Sequence, residues 1–271
     1  SNDVKEFTNF LKVYQILKKI NISIPKIYEV YFTKKIIIME DFGINTFDKI
    51  YKEEKIYKLL RIAIDNLIII ENSLIYKDLE QLEKYTFNDL KKEISEFINF
   101  YIPYKKISNF PISDFYDSWL RVYNNEKFDF TSFVHKDFEF INLILVNKNL
   151  SHLKCGIIDF QSAFIGFKGW DLFSILENPR LNFTSKYNDD LIKYYYLNTN
   201  ITTNYEKFLK QYYILNLARQ TRLIGRWVKL LSLGNKQFSD YINITKKRII
   251  FCLSKITDKK LKQLYEKVFI N

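Results

Sequence analysis

A short β-rich island at about residues 131–160 interrupts a chain that otherwise reads as helix from residue 44 to its end. Its runs, SFV, NLILV and CGII, are too short for helices and are separated by polar turns. On both sides the apolar residues recur at helical spacing. EKIYKLLRIAIDNLIIIENS, TFNDLKKEISEFINFYI and ISDFYDSWLRVYN precede the island, and long helical stretches at 202–232 and 236–254 follow it. At the N-terminus, DVKEFTNFLKVYQILKKI reads as a helix, and IYEVYFT and KIIIMEDF as a hairpin. No internal repeat is present. The chain is therefore expected to be α+β in two lobes: a small one at 1–43, helix plus β-hairpin, and a large, mostly helical one at 44–271.

The island carries the chemistry. In FVHKDFEFINLIL, His135, Asp137 and Asn142 spell H-x-D-x-x-x-x-N, and a second strand, CGII, then delivers Asp159. If the two strands form a hairpin, Asn142 at the start of one and Asp159 at the finish of the other stand at the same end. An amide oxygen and a carboxylate converging there suit Mg²⁺, which takes few protein oxygens and completes its shell with phosphate and water. Asp137, in the preceding loop, is left to orient or deprotonate a hydroxyl. Metal ions on the phosphates and a carboxylate on the attacking oxygen are what phosphoryl transfer requires. Singly, each residue has a plain structural reading: His-x-Asp caps a turn, and an aspartate often ends a strand. In this order and at this separation they form one site, with the D-to-N spacing of a kinase catalytic loop.

Composition narrows the partners. The net charge of +11 invites a nucleic-acid reading, but the excess is nearly all lysine, in singles and pairs, accompanied by much Ile, Asn, Tyr and Phe. That mixture reads as a solvated lysine surface, with nucleotide phosphate as the acidic partner and no nucleic acid. The two cysteines, Cys155 and Cys252, have no metal-ligand spacing and are expected to be reduced and buried. Even RIAIDNLIIIENSLI carries Asp65 and Glu71, so no membrane span is expected. No secretory pattern opens the chain, and the expected setting is cytoplasmic, without a membrane partner.

The run VHKDFEFINLILVNKNLSHLKCGIIDFQSAFIGFKGWDLFSIL resembles the catalytic core of the aminoglycoside phosphotransferase and choline kinase superfamily. Within it, IIDFQSAFIGFKGWDLFSILENPR is similar to the branch that phosphorylates the anomeric hydroxyl of N-acetylmuramate and N-acetylglucosamine. ARQTRLIGRWVKLLSLGNKQFSDYI resembles that branch's basic helix, and IIIMEDFG the superfamily's hinge. The resemblance runs from about residue 4 to the C-terminus. It implies a protein-kinase-like fold with a truncated small β lobe, and an ATP-dependent sugar kinase using Mg²⁺. Asp137 would be the catalytic base, and Asn142 and Asp159 the metal ligands. His135 and Asp171 would brace the loop. Glu40, Asp41 and Phe42 would offer hinge backbone to adenine, and Trp170 belongs to the core.

Three of the seven arginines fall in RQTRLIGR. Arg219 and Arg222 share a helix face. They read either as a solvated face or as a clamp for an anionic substrate group such as a lactyl carboxylate, because arginine forks fit carboxylates. Arg180, in ENPR, is a further candidate. The sequence departs from the branch at Glu139, where a histidine is common, and at Phe140; both stand beside the base and shape the substrate pocket. It also lacks a Gly-rich phosphate loop and a strand lysine before Glu6. Choline-like alcohols, aminoglycosides and a non-catalytic, metabolite-binding pseudokinase are the alternative readings.

Overall fold

Each long apolar periodicity becomes a helix in the computed structural model, which describes residues 2–181 and 187–269. In chain order the elements are α1 (Asn2–Leu17), β1 (Ile27–Tyr31), β2 (Ile36–Met39), α2 (Phe47–Ile50), α3 (Glu53–Ser73), α4 (Tyr76–Leu79) and α5 (Phe87–Glu96). A π-helical turn (Phe97–Tyr101) leads to α6 (Ile102–Tyr104) and α7 (Ile112–Glu126). The island holds β3 (Phe130–Val134), β4 (Leu143–Leu145), β5 (Cys155–Ile157) and β6 (Phe164–Phe167). Then come α8 (Trp170–Leu176), α9 (Asn188–Asn198), α10 (Tyr205–Ser232), α11 (Phe238–Lys255) and α12 (Lys259–Phe269). None of the described helices is long and apolar enough to cross a membrane. Both cysteines are free and buried.

Two expectations need correction. The helix read at 86–102 loosens into the π turn after Glu96. Pro103 follows closely and has no N–H to give the carbonyl four residues back, so the regular ladder cannot continue through it. The run FIGF, not read as a strand, is β6; it is buried throughout, and a short apolar run without alternation carries no period to read.

The chain divides into two compact units. That unit comprises residues up to Lys84, Asp129–Asn178 and the described residues 187–202. It contains three two-stranded antiparallel sheets: β1–β2, β3–β6 and β4–β5. The β4–β5 hairpin pairs Leu143 with Ile157 and Leu145 with Cys155. Its outer edges are also engaged. The N–H of Ile157 donates to Ser23 (2.8 Å) and that of Leu145 to Asn45 (2.9 Å), so the hairpin is tied to the segments either side of β1–β2.

Gly156 shows how tightly. A Cβ there would lie 2.5 Å from the Phe42 ring and 3.1 Å from Val146, so only glycine lets this ring lie against the hairpin. α1 buries Val13, Ile16 and Leu17 and stacks Phe10 on Phe160 at 4.7 Å.

Behind the sheets, Glu71 of α3 pairs with Lys168 at 3.1 Å, both largely buried, and accepts from the Ser132 hydroxyl (3.0 Å). Burial pushes the Glu71 carboxyl up against the pull of Lys168. Removing either partner would leave an uncompensated charge inside.

The second unit, 85–128 with 179–181 and 203–269 among the described residues, is helical. Phe97 sits at its centre, stacked on Tyr101 (5.5 Å) and Phe115 (5.6 Å). Full burial of an aromatic of this size contributes roughly 3 kcal/mol. A Cβ on Gly225 of α10 would fall 2.2 Å from the Glu96 backbone, so this glycine sets how closely α10 meets α5.

Candidate active site

The chain leaves β3 at Val134 and is caught at once by Asp171, which stands in the first turn of α8. The backbone N–H groups of His135 and Lys136 donate to the two carboxylate oxygens of Asp171, at 2.6 and 3.0 Å. Such charge-assisted bonds are the strong ones. They hold Lys136 in the left-handed region, φ +77°, where a non-glycine residue stays only if its surroundings over-determine it. Phe138 and Phe140 then plunge into the core, the latter against Phe47 at 5.6 Å. Between β3 and these anchors Asp137 is left half-buried, whereas Glu139 is buried.

The backbone carbonyl of Asp137 ties the loop to the hairpin. It accepts from the Glu139 N–H (2.9 Å) and from the Asn142 side-chain amide (2.8 Å). With its Nδ2 donor committed there, Asn142 has its amide oxygen left as a hard acceptor. The Ile158 N–H donates to the Asn142 carbonyl at 3.1 Å. The start of β4 and the finish of β5 are thus side by side, as a hairpin requires. The next residue, Asp159, has φ +64° and an exposed carboxylate, steadied by the Gln161 amide at 2.7 Å.

His135 braces this arrangement from beneath. It is fully buried, and its Nε2–H donates to the Ile158 carbonyl at 3.0 Å, while Nδ1 has no hydrogen-bond partner. Burial lowers its pKa, against the upward pull of the Asp137 and Asp159 carboxylates. A neutral Nε2–H tautomer satisfies the carbonyl, and the ring packs edge-on to Phe138 at 5.7 Å.

Glu40, Asp41 and Phe42 follow β2 in the same unit. The Glu40 N–H donates to Lys26 (2.8 Å), and the Glu40 carboxylate receives the Lys26 N–H (3.1 Å). Asp41 accepts from the Gly43 N–H at 2.7 Å, with Gly43 at φ +83°.

Hydrogen bonds therefore link Asp171, His135, Asn142, Asp137 and Glu139, and Asp159 follows Ile158, which bonds to both His135 and Asn142. Asn142 and Asp159 offer an amide oxygen and a carboxylate at one end of the hairpin, a donor set of the kind Mg²⁺ accepts alongside phosphate and water. Among the described residues no group of three or more His, Cys, Asp and Glu could hold a metal on its own.

Arg180, Arg219 and Arg222 belong to the second unit. Arg219 is only 1% exposed, which excludes the solvated face. Arg222 is half-buried and acts electrostatically on Tyr85, whose phenol burial pushes up. Arg180 is exposed and lies over Trp227 at 5.3 Å.

Sequence reasoning missed Gln161, although it stands two residues after Asp159 in IIDFQSA. It also missed Phe42 against Gly156, for which the Gly in CGII was the only sign.

The chain matches no protein-family model and no curated protein. Its fold does match solved structures. An ethanolamine kinase of Plasmodium vivax superposes with a TM-score of 0.58 at 16% identity, over 91% of this chain and 71% of that one. The ADP-bound aminoglycoside phosphotransferase APH(2'')-Ib gives 0.52 at 14%, over 96% and 83%. A spectinomycin phosphotransferase in complex with ADP and spectinomycin gives 0.53 at 13%, over 94% and 83%. At such identities the likeness is one of fold: a kinase-like α+β fold, mostly helical with few strands.

Proposed function

We propose that this chain transfers the γ-phosphoryl group of ATP to a hydroxyl of a small molecule. The observation that carries the reading is the link from the Asp137 carbonyl to the Asn142 amide and from the Asn142 carbonyl to Ile158, the residue before Asp159. These links make neighbours of the chain positions that carry a loop carboxylate, an amide and a second carboxylate, which supports the reading. Kinase-like folds whose solved examples act on ethanolamine and aminoglycosides support it.

In this reading Asp137 orients the acceptor hydroxyl and takes its proton. The hydroxyl oxygen forms a bond to the γ-phosphorus as the bond to the bridging oxygen breaks, and ADP leaves with that electron pair. Asn142 and Asp159 would hold Mg²⁺, which neutralises phosphate charge. Backbone at Glu40, Asp41 and Phe42 receives adenine. Most of the catalysis in such a transfer is positioning and charge stabilisation, the role given to His135 and Asp171.

The acceptor we favour is the anomeric hydroxyl of a cell-wall amino sugar, N-acetylmuramate or N-acetylglucosamine, on the spelling of IIDFQSAFIGFKGWDLFSIL, with Arg180, Arg219 and Arg222 as candidates for an anionic substituent. A cationic amino alcohol is the second reading. The buried Glu139 beside the base would suit it, and an ethanolamine kinase shares the fold.

ADP release from Mg-ATP tests both, measured with the two amino sugars, choline, ethanolamine and an aminoglycoside. Turnover with an amino sugar supports the favoured reading, and turnover with only the amino alcohols replaces it by the second. Absence of ADP with every acceptor, from folded protein, contradicts the phosphotransferase reading.

A further inference from the structure

The positive charge is not spread as the scattered lysines suggest. Residues 1–202 carry 27 Lys and Arg against 27 Asp and Glu, whereas residues 203–271 carry 15 against 4. The whole net charge of +11 therefore resides in the last quarter of the chain. A general compositional bias toward lysine would act on both parts alike, and in the first it is matched by acid.

Within this quarter, α11 turns a distinct face outward. Beyond the first turn, where Ser239 and Asp240 are exposed, its exposed positions are Asn243, Lys247, Ile250, Phe251, Ser254 and Lys255, spaced as one helix side. Ile250 and Phe251 are each 42% exposed. Lys247 lies one turn before this apolar pair and Lys255 one turn after, its ammonium 5.2 Å from the Phe251 ring. Lys246, half-buried, lies at the margin. The opposite side, with Ile242, Thr245, Ile249 and Cys252, is buried. Among the described residues no acidic side chain lies within ion-pair distance of Lys246, Lys247 or Lys255, whereas Lys210, Lys229 and Lys260 elsewhere in the unit have such partners.

We propose that this face of α11 docks on an anionic phospholipid surface. Two apolar side chains between lysines match the boundary between acyl chains and charged headgroups, where lysine stems lie along apolar surface with their ammonium groups in the phosphate layer. The charges also suit this occupant better than nucleic acid. Eleven of the fifteen basic residues after 202 are lysine, point charges suited to a diffuse anionic plane, whereas arginine forks dominate base and phosphate recognition. The proposal departs from the expectation of no membrane partner. It does not depend on the proposed catalytic activity.

Co-sedimentation of the full chain with vesicles tests it, using phosphatidylcholine alone and with about 30% phosphatidylserine. Binding is expected only to the anionic vesicles, weakened by salt. It should fall about tenfold in Lys247→Glu/Lys255→Glu, and also in Ile250→Ser, which leaves the charge unchanged. The matched control Lys12→Glu/Lys18→Glu, on exposed lysines in α1 and just after its end, should change it less than about twofold. Unchanged thermal melting of each variant keeps folding out of the comparison. Equal binding to neutral vesicles, equal losses in the two charge-reversed doubles, or no binding at all would overturn the proposal. So would tighter binding to a short DNA duplex that the α11 substitutions abolish, which would assign the face to nucleic acid.

Discussion

The two units use their buried polar groups for opposite ends. In the second, such groups join helix to helix: Thr221 with Tyr265 at 2.5 Å, and the Trp227 indole with Thr245 at 3.0 Å. In the first, Asp171 and His135 hold backbone, and the backbone they hold presents the more accessible Asp137 and Asp159. Backbone conformation differs in parallel. Left-handed non-glycine residues of the second unit, Lys106 and Lys127, follow helix ends, where such a residue terminates a helix. In the first unit Lys35 serves the β1–β2 turn in the same way, but Lys136 and Asp159 stand in the loop and at the hairpin end, each costing roughly 1–3 kcal/mol. A scaffold relieves strain at its caps, whereas a site retains it beside its carboxylates.

If that contrast holds, substitutions should separate by unit. Among residues that support the loop or the scaffold, the largest effect is expected at Asp171. Asp171→Ala removes both acceptors for the His135 and Lys136 N–H groups, at about 3 kcal/mol of stability. It should slow turnover about 100-fold through a misplaced Asp137. Asp171→Asn, which keeps one acceptor, should fall between. Urea unfolding and steady-state kinetics would measure both, and wild-type kinetics in Asp171→Ala would break the comparison.

Gly225→Ala should act on stability. Its Cβ meets backbone rather than a movable side chain, so a loss of about 3 kcal/mol is expected in thermal or urea melts. A variant as stable as wild type would mean that α10 and α5 separate at little cost.

The smallest effect is at the rim of the second unit, where Arg121 grips Asp258 through two nitrogens at 2.9 and 3.2 Å. Burial raises the Asp258 carboxyl, but the Arg121 bonds and backbone N–H groups outweigh it and leave the pKa below the ordinary 3.8. The group is largely solvated and screened, so Arg121→Ala should cost only about 0.5 kcal/mol. Because the folded value is depressed, this stabilisation is present above 3.8 and fades as pH falls through the folded value. Melts at pH 7 and in acid should show the difference between wild type and Arg121→Ala shrinking; a difference that grows in acid would reverse the sign.

The hairpin was legible in the sequence because its pairing is local: β4 and β5 are two short strands joined by one loop, residues 146–154, with Asn142 before the first and Asp159 after the second. The helices were legible by period. The Glu71–Lys168 pair was not, since a buried ion pair between residues 97 apart leaves no periodic trace. Burial of Arg219 was equally hidden, because spacing gives a shared face and not what covers it. The charge imbalance after residue 202 was countable from the first reading but acquired meaning only with the unit boundaries and the exposed side of α11.

In the proposed reaction Asp137 meets the acceptor hydroxyl, while Asp171 and His135 hold the backbone around it. Single-turnover ADP formation by wild type and Asp137→Asn, with Mg-ATP affinity measured on the same samples, tests it most directly. The chemical step should fall by at least about 1,000-fold, with nucleotide affinity and melting temperature essentially unchanged. Wild-type turnover in Asp137→Asn would contradict it.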